Sequence, residues 1–416
     1  METIKTTRKE FINKVPQVTI FFWIIKVLCT TVGETFADFL NVNLNFGLTG
    51  TSVALGILLL IALIFQFRAK KYIPFIYWIT VVFISVFGTL VTDILTDSMN
   101  VPLETSTIIF SILLLLTFTL WFVKEKTLSI HAINTTRREF FYWLTILFTF
   151  ALGTASGDLM AESLGFGYLV TGIIVAVVII LVVIARQLKL NPVLSFWIIY
   201  IMTRPLGASL GDLLSQPTKF GGLGLGATVT SAIFLLGIVI LILYFTFSKR
   251  DVIPEENVEE REHKEEKGLI LQTVITVLLF VIVGGSAYYW RHNMLQKEID
   301  QPVSNTAQDT VQSQNKNPDQ IKKTPLSPLG DLSSFAKITS DTRDLVEANK
   351  MSDAKTRIAD LEYEWDNAQA RLKAKNGAKW TEVDDAIDKV LRSLRAVNPN
   401  QQDCKNSLDA LLNVLK

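Results

Sequence analysis

Four aspartates stand in the same setting in this chain. Asp38, Asp93, Asp158 and Asp212 each follow a glycine by five residues and a tryptophan by fifteen, with a leucine or methionine two residues later. The shared pattern is W-x9-G-x4-D-x-[LM]. Trp23, Trp78, Trp143 and Trp197 open its four copies, and Gly33, Gly88, Gly153 and Gly207 stand inside them. Each copy lies in a long apolar stretch, where a carboxylate is costly and faces a bundle interior, a cavity or a partner. Four at one register point to a common polar pathway. One helical turn earlier, on the same face, come Glu34, Thr89, Thr154 and Ala208. Such oxygen atoms suit hard or borderline cations, Mg2+, Ca2+ or Mn2+, and buried carboxyls also carry protons. The eight apolar stretches that hold the repeats contain no histidine and only Cys29, which argues against zinc or copper(I); no cofactor is indicated. The competing reading is structural, with each aspartate hydrated near a membrane boundary or bonded to threonines and helix-start amides.

Two basic residues break the repetition. Lys26, three residues after Trp23, is expected to snorkel toward the cytoplasmic edge. Arg204 lies deeper and precedes Pro205, which removes a helix hydrogen bond and kinks the span. It either neutralises acidic groups or binds an anionic substrate, or it forms a purely structural bridge with Glu34 or an aspartate. The glycines permit close approach of membrane helices. The tryptophans read as interfacial anchors, because fifteen residues of helix place them about 22 Å from the aspartates.

Positioning these groups is a matter for membrane helices. The 416 residues are half apolar, with 40 basic against 39 acidic side chains, and this composition excludes a single soluble domain and a basic nucleic-acid binder. Cys29 and Cys404 are too differently placed to pair. Stretches long enough to cross a hydrocarbon core fall at residues 17–40, 47–67, 73–96, 103–123, 140–162, 166–186, 192–214, 222–247 and 268–290. The basic segment 1–16 lacks a small-residue cleavage site and is expected to stay as a cytoplasmic N-terminus. Lys14, Arg68, Lys70, Lys71, Lys124, Arg137, Arg138, Arg186, Lys249 and Arg250 mark one side, whereas the short loops of the other side offer only Lys219. The positive-inside rule therefore puts the N-terminus in the cytoplasm and everything after the ninth span outside.

The four copies define two-span units at about 17–67, 73–123, 140–186 and 192–247, each read as a helical hairpin. An even number of spans per unit makes them parallel repeats about an axis along the membrane normal, arranged as a four-fold pseudo-ring or as two paired halves. In this Trp–Gly–Asp spacing the chain resembles the bacterial integral membrane proteins built of four tandem two-helix repeats of unknown function, each with a characteristic tryptophan. The resemblance covers about residues 17–247. It implies a multi-pass protein of the bacterial cytoplasmic (inner) membrane and supplies no reaction.

Beyond the repeats the sequence predicts a charged cytoplasmic connector at 248–267 that includes His263, and a ninth anchor helix at 268–290 ending in an aromatic belt. A polar linker follows at 291–333. Period-3.6 stripes through Leu361, Trp365, Leu372, Trp380, Val383, Ile387, Val390, Leu394, Leu408 and Leu411 then predict an extracytoplasmic bundle of three or four helices over 334–416. The expected fold is thus an all-α membrane protein: eight repeat helices, an anchor and a small outer bundle. No span shows a catalytic constellation, so an enzyme is not expected. The leading expectation is a membrane transporter of a small cation or a proton-coupled solute through the acid-lined interior. Its alternative is a membrane scaffold or stress sensor whose residues 334–416 bind a protein partner. The lipid bilayer is the one certain surrounding, and no nucleic acid is expected.

Overall fold

Long apolar runs without internal breakers form helices in lipid because every backbone amide must be satisfied within its own segment. The computed structural model describes residues 13–40, 47–99, 101–215, 223–248, 251, 268–300, 327–396 and 398–416. The first twelve residues, Lys219, most of the 248–267 connector with His263, and residues 301–326 of the linker lie outside the described residues, as does the side chain of Asp38. The helices are α1 (Ile20–Asp38), α2 (Gly47–Arg68), α3 (Pro74–Asp93), α4 (Leu103–Glu125), α5 (Thr136–Asp158), α6 (Gly167–Gln187), α7 (Pro192–Ser215), α8 (Gly226–Ser248) and α9 (Leu269–Asp300), then α10 (Ser333–Glu347), α11 (Met351–Lys375), α12 (Gly377–Arg395) and α13 (Gln401–Val414). Among the described residues nine helices are long and apolar enough to cross a membrane, and they fall on the nine predicted spans. The chain is a multi-pass, all-helical protein with tandem repeats.

Starts and stops follow local chemistry. Pro74 opens α3, where its missing N–H costs nothing. Thr135 caps α5 by accepting from the Arg138 amide, and Asn191 Oδ1 accepts from the Val193 and Leu194 amides at the start of α7. Three of the aspartates end their helices: Asp38, Asp93 and Asp158 are the last α-helical residues of α1, α3 and α5, and after Asp93 and Asp158 π-helical turns follow directly at Ile94–Ser98 and Leu159–Ser163.

The odd helices form a closed inner ring. α1 packs on α3, α3 on α5, α5 on α7, and α7 returns to α1. Of the two arrangements the sequence leaves open, this is the four-fold one. The hairpin expectation is corrected: each even helix packs chiefly on the odd helix of the following repeat, α2 on α3, α4 on α5, α6 on α7 and α8 on α1. Small residues set these seams, with Gly56 against Phe87 and Gly172 against Ser209. Between 56% and 78% of the α1, α3, α5 and α7 spans is buried, against 22% to 28% of the α2, α4, α6 and α8 spans. The even helices are apolar all round and present that surface outward, the composition a lipid-facing layer requires.

The chain divides into two compact units, Met1–Ala161 with Phe166–Val277, and Glu162–Gly165 with Leu278–Lys416. Within the second, α10 to α13 make a four-helix bundle in which each helix packs on two others. Its core holds the predicted stripe residues Leu361, Trp365, Leu372, Trp380, Val383, Ile387, Val390, Leu394, Leu408 and Leu411. Trp365 stacks on Trp380 at 6.0 Å between ring centroids, and its indole N–H donates to Asp384 at 2.9 Å. The bundle starts with α10, whose Phe335, Ile338 and Val346 complete the same core.

Candidate functional site: the charged centre of the helix ring

The repeat glycines draw the inner helices together in a cycle. A Cβ added at Gly33 would lie 2.0 Å from Ser85 Oγ, at Gly88 2.8 Å from Phe150 Cβ, at Gly153 2.6 Å from Arg204 Cβ, and at Gly207 2.0 Å from Thr30 Oγ1. Each neighbour stands three residues before the glycine of the next repeat, and the fourth repeat closes on the first. The packing role expected for these glycines is thus met by the same contact made four times. Any side chain larger than hydrogen would push two inner helices apart.

At this pinch the fully buried Arg204 of α7 reaches the ring centre. Its Nε donates to Thr154 Oγ1 at 3.0 Å and its Nη1 to the Thr30 carbonyl at 3.2 Å. Its Nη2 donates to Glu34 Oε2 and to Thr89 Oγ1. Glu34, Thr89 and Thr154 each follow a repeat glycine by one residue, so one guanidinium collects the same position from the other three repeats. The fourth repeat has Ala208 there, which leaves room for its own arginine. Thr89 and Thr154 also donate to backbone carbonyls at 3.1 and 3.0 Å, so both hydroxyls are fully used. Arg204 is 0% exposed at its side chain and Glu34 18%. A planar fork of five donors is the one side chain that can bind a carboxylate, two hydroxyls and a carbonyl at once. Glu34, Thr89, Thr154 and Arg204 of the predicted pathway are therefore together, and the arginine spans the ring as a bridge.

The aspartates are elsewhere. Asp93, Asp158 and Asp212 are half-buried, at or near the ends of their α-helices, and none of them is among the partners of Arg204. Among the described residues no group of three or more acidic, histidine or cysteine side chains is placed to hold a metal ion. Asp93, Asp158 and Asp212 thus lie toward one end of their helices, away from the Arg204 bridge.

One turn from the bridge in the other direction lies a second layer. Lys26 is 1% exposed. Its Nζ sits 3.7 Å from the Phe150 ring centroid and 4.2 Å from that of Tyr200. The expectation that Lys26 snorkels to the membrane edge is corrected, because its helix is enclosed by α3, α7 and α8 and the side chain points inward. The anchor reading of the tryptophans is corrected for the same reason. Trp78, Trp143 and Trp197 are buried in the protein, and Trp23 is half-buried against Phe196 at 5.5 Å. They join Phe22, Tyr77, Tyr142, Phe196 and Tyr200 in one aromatic cluster. In a ring of four helices a shared register recurs at one level, so bulky rings fill one end and the glycines pinch the ring nearer its centre.

At the aromatic end two buried pairs lie outside the repeat pattern. Glu139, wholly buried, accepts from Lys14 Nζ at 2.6 Å and from Gln66 Nε2 at 3.0 Å. Tyr72 donates to Asp251 at 2.6 Å, and the Gln17 amide donates to the Asp251 carbonyl at 2.8 Å. Burial pushes the Asp251 carboxyl above its usual range, opposed in part by the Tyr72 hydrogen bond. Burial, followed by the charge of Asp251, pushes the Tyr72 phenol up as well. Nothing in the local sequence marks Glu139 or Asp251, since their partners lie far away along the chain. Beside them Gln17, Ser129, His131, Arg186 and Phe196 line a cavity of about 200 Å³.

Residues 21–72, 76–127, 141–188 and 195–251 each match the family described as Repeat of Unknown Function (DUF347). Each match begins within the first turns of an odd helix and runs through the even helix that follows. No curated protein and no solved structure is matched.

Proposed function

We propose that this chain, which belongs to the repeat family DUF347, is a transporter of a small cation or a proton-coupled solute, working across the bacterial inner membrane. The observation that carries the reading is Arg204, fully buried, holding one residue from each of the other three repeats at a single register. In a purely structural protein an ion pair at this depth is a poor investment, because apolar side chains of similar volume do as well or better. Buried ionisable groups inside a membrane bundle are by default pathway or coupling groups.

In the proposed cycle Asp38, Asp93, Asp158 and Asp212 raise the local concentration of cations at one mouth. The Glu34–Arg204 bridge closes the centre. Protonation of Glu34, or a cation competing for its carboxylate, releases the guanidinium and lets the inner helices shift. The basic loops orient the aromatic end and the N-terminus to the cytoplasm, and residues after α9 to the outside. Flux of Na+, K+, Mg2+, Mn2+ and protons in proteoliposomes tests the proposal. Glu34→Gln should abolish flux in a folded protein, and Asp→Asn changes should reduce it. Undiminished flux in Glu34→Gln and in all four Asp→Asn variants would sink the assignment.

A second reading, a scaffold or stress sensor, is favoured by one observation: the α10–α13 bundle has a complete core of its own. Deleting residues 291–416 separates the two. A transporter retains flux, whereas a scaffold loses its protein partner and its phenotype.

A further inference from the structure

Lys26 is a buried amine without a counter-ion among the described residues. Its ammonium is buried on the faces of Phe150 and Tyr200, and among the described residues neither a carboxylate nor a hydrogen-bond acceptor lies against it. The nearest interior acid, Glu34, is taken by Arg204. Three residues of this layer stand one helical turn before members of the bridge: Lys26 before Thr30 on α1, Phe150 before Thr154 on α5, and Tyr200 before Arg204 on α7. The two layers are stacked, and a charge on Lys26 acts directly beneath the guanidinium.

The ionisable groups around Lys26 are few. Cys29 on its own helix and Arg204 on α7 lie close enough to interact with it electrostatically. Tyr200 on α7 is one wall of its seat. Tyr142 on α5 and Tyr77 on α3 follow, joined hydroxyl to hydroxyl at 2.5 Å. α8 carries no ionisable side chain except Tyr244, which lies against Phe21 on the other side of α1. The Tyr200 hydroxyl is itself buried without a hydrogen-bond partner among the described residues. Aromatic faces hold a desolvated ammonium but give it less than a carboxylate would. The phenol hydroxyls of Tyr200, Tyr142 and Tyr77 beside this seat can pass a proton.

We propose that Lys26 is a second proton-binding residue of the transport cycle, beside Glu34, exchanging one proton for one monovalent cation at the aromatic seat. This rests on the transport reading above. The charge balance is simple: the ammonium gives up one proton and becomes a neutral amine as one cation enters, and the interior keeps one positive charge beyond the neutral Glu34–Arg204 pair.

Two measurements on the full-length protein test the proposal. In proteoliposomes with a pH dye inside, external Na+, K+ or methylammonium chloride should drive protons out of the wild type. Lys26→Arg, whose guanidinium stays charged, should lose that response by about two orders of magnitude. A Lys26→Arg response equal to wild type overturns the proposal. Independently of transport, the difference in Tm between wild type and Lys26→Met should change with pH. A constant difference means a fixed charge state and also overturns it. A changing difference in a wild type that moves no cation refutes the transport reading, and the exchange role falls with it.

Discussion

Replacing Arg204 with methionine tests the bridge most severely. The substitution keeps the aliphatic stem against Gly153 and removes the guanidinium, leaving Glu34, 18% exposed, without its cation. Removing one partner of a buried ion pair costs about 3–5 kcal/mol, because the remaining charge is left uncompensated. The partial exposure of Glu34 puts the expected loss toward the lower end, about 3 kcal/mol, with the Thr154 and Thr89 hydrogen bonds adding a few tenths each at the values seen between membrane helices. Glu34→Gln alone should cost about 2–3 kcal/mol, since it retains an acceptor but strands the guanidinium. The double variant Arg204→Met/Glu34→Gln leaves neither charge buried. It should cost no more than the single Arg204→Met change, giving a coupling energy of about 2 kcal/mol or more. Reversible unfolding in mixed micelles, followed by the near-ultraviolet signal of the buried tryptophans, measures all three. A loss below about 1 kcal/mol for Arg204→Met, or strictly additive single and double variants, would refute the claim that the arginine bridges the ring.

The remaining predictions address other layers. Gly207→Ala, whose Cβ would stand 2.0 Å from Thr30 Oγ1, should lose about 1–3 kcal/mol by the same unfolding assay, whereas Gly284→Ala in α9, with nothing within 4 Å, should be neutral or slightly stabilising. Asp251 holds its proton to a higher pH in the folded chain than in the unfolded one, so the fold binds the extra proton above about pH 4 and its contribution to stability falls as pH rises. The Tm of the wild type relative to Asp251→Asn should therefore drop as the pH is raised from about 4, and a rise would contradict the buried placement. Residues 327–416 expressed alone should be helical and melt cooperatively by circular dichroism. In that fragment Trp365→Ala should cost about 3–5 kcal/mol.

The spans, repeats and bundle stripes were legible in the sequence because they depend on local periodicity. The close packing at Gly33, Gly88, Gly153 and Gly207 was legible for the same reason: small residues recur where membrane helices touch. What a single helix cannot reveal is which face turns inward. Trp78, Trp143 and Trp197 look like interfacial anchors on an isolated span, and Lys26 looks like a snorkelling residue. Closing four helices into a ring encloses all of them. The aspartates drew attention as charges in apolar surroundings, yet the convergent residues are those one turn away, and only Arg204 reveals this by joining them. Glu139 and Asp251 were not legible, since Lys14 and Tyr72 are brought to them by the fold alone.

Bridge, gate and proton site all require that the fourth repeat return to the first. Cross-linking α7 to α1 tests this most directly. A Cβ at Gly211 would lie 3.5 Å from Thr31 Cγ2, so the two positions touch across the α1–α7 seam. In a background with Cys29 and Cys404 replaced by alanine, Thr31→Cys/Gly211→Cys should oxidise readily to an intramolecular disulfide in the membrane, visible as a reducible mobility shift after cleavage of an engineered protease site between repeats. Free thiols in the pair under oxidising conditions, with the protein folded, would contradict ring closure.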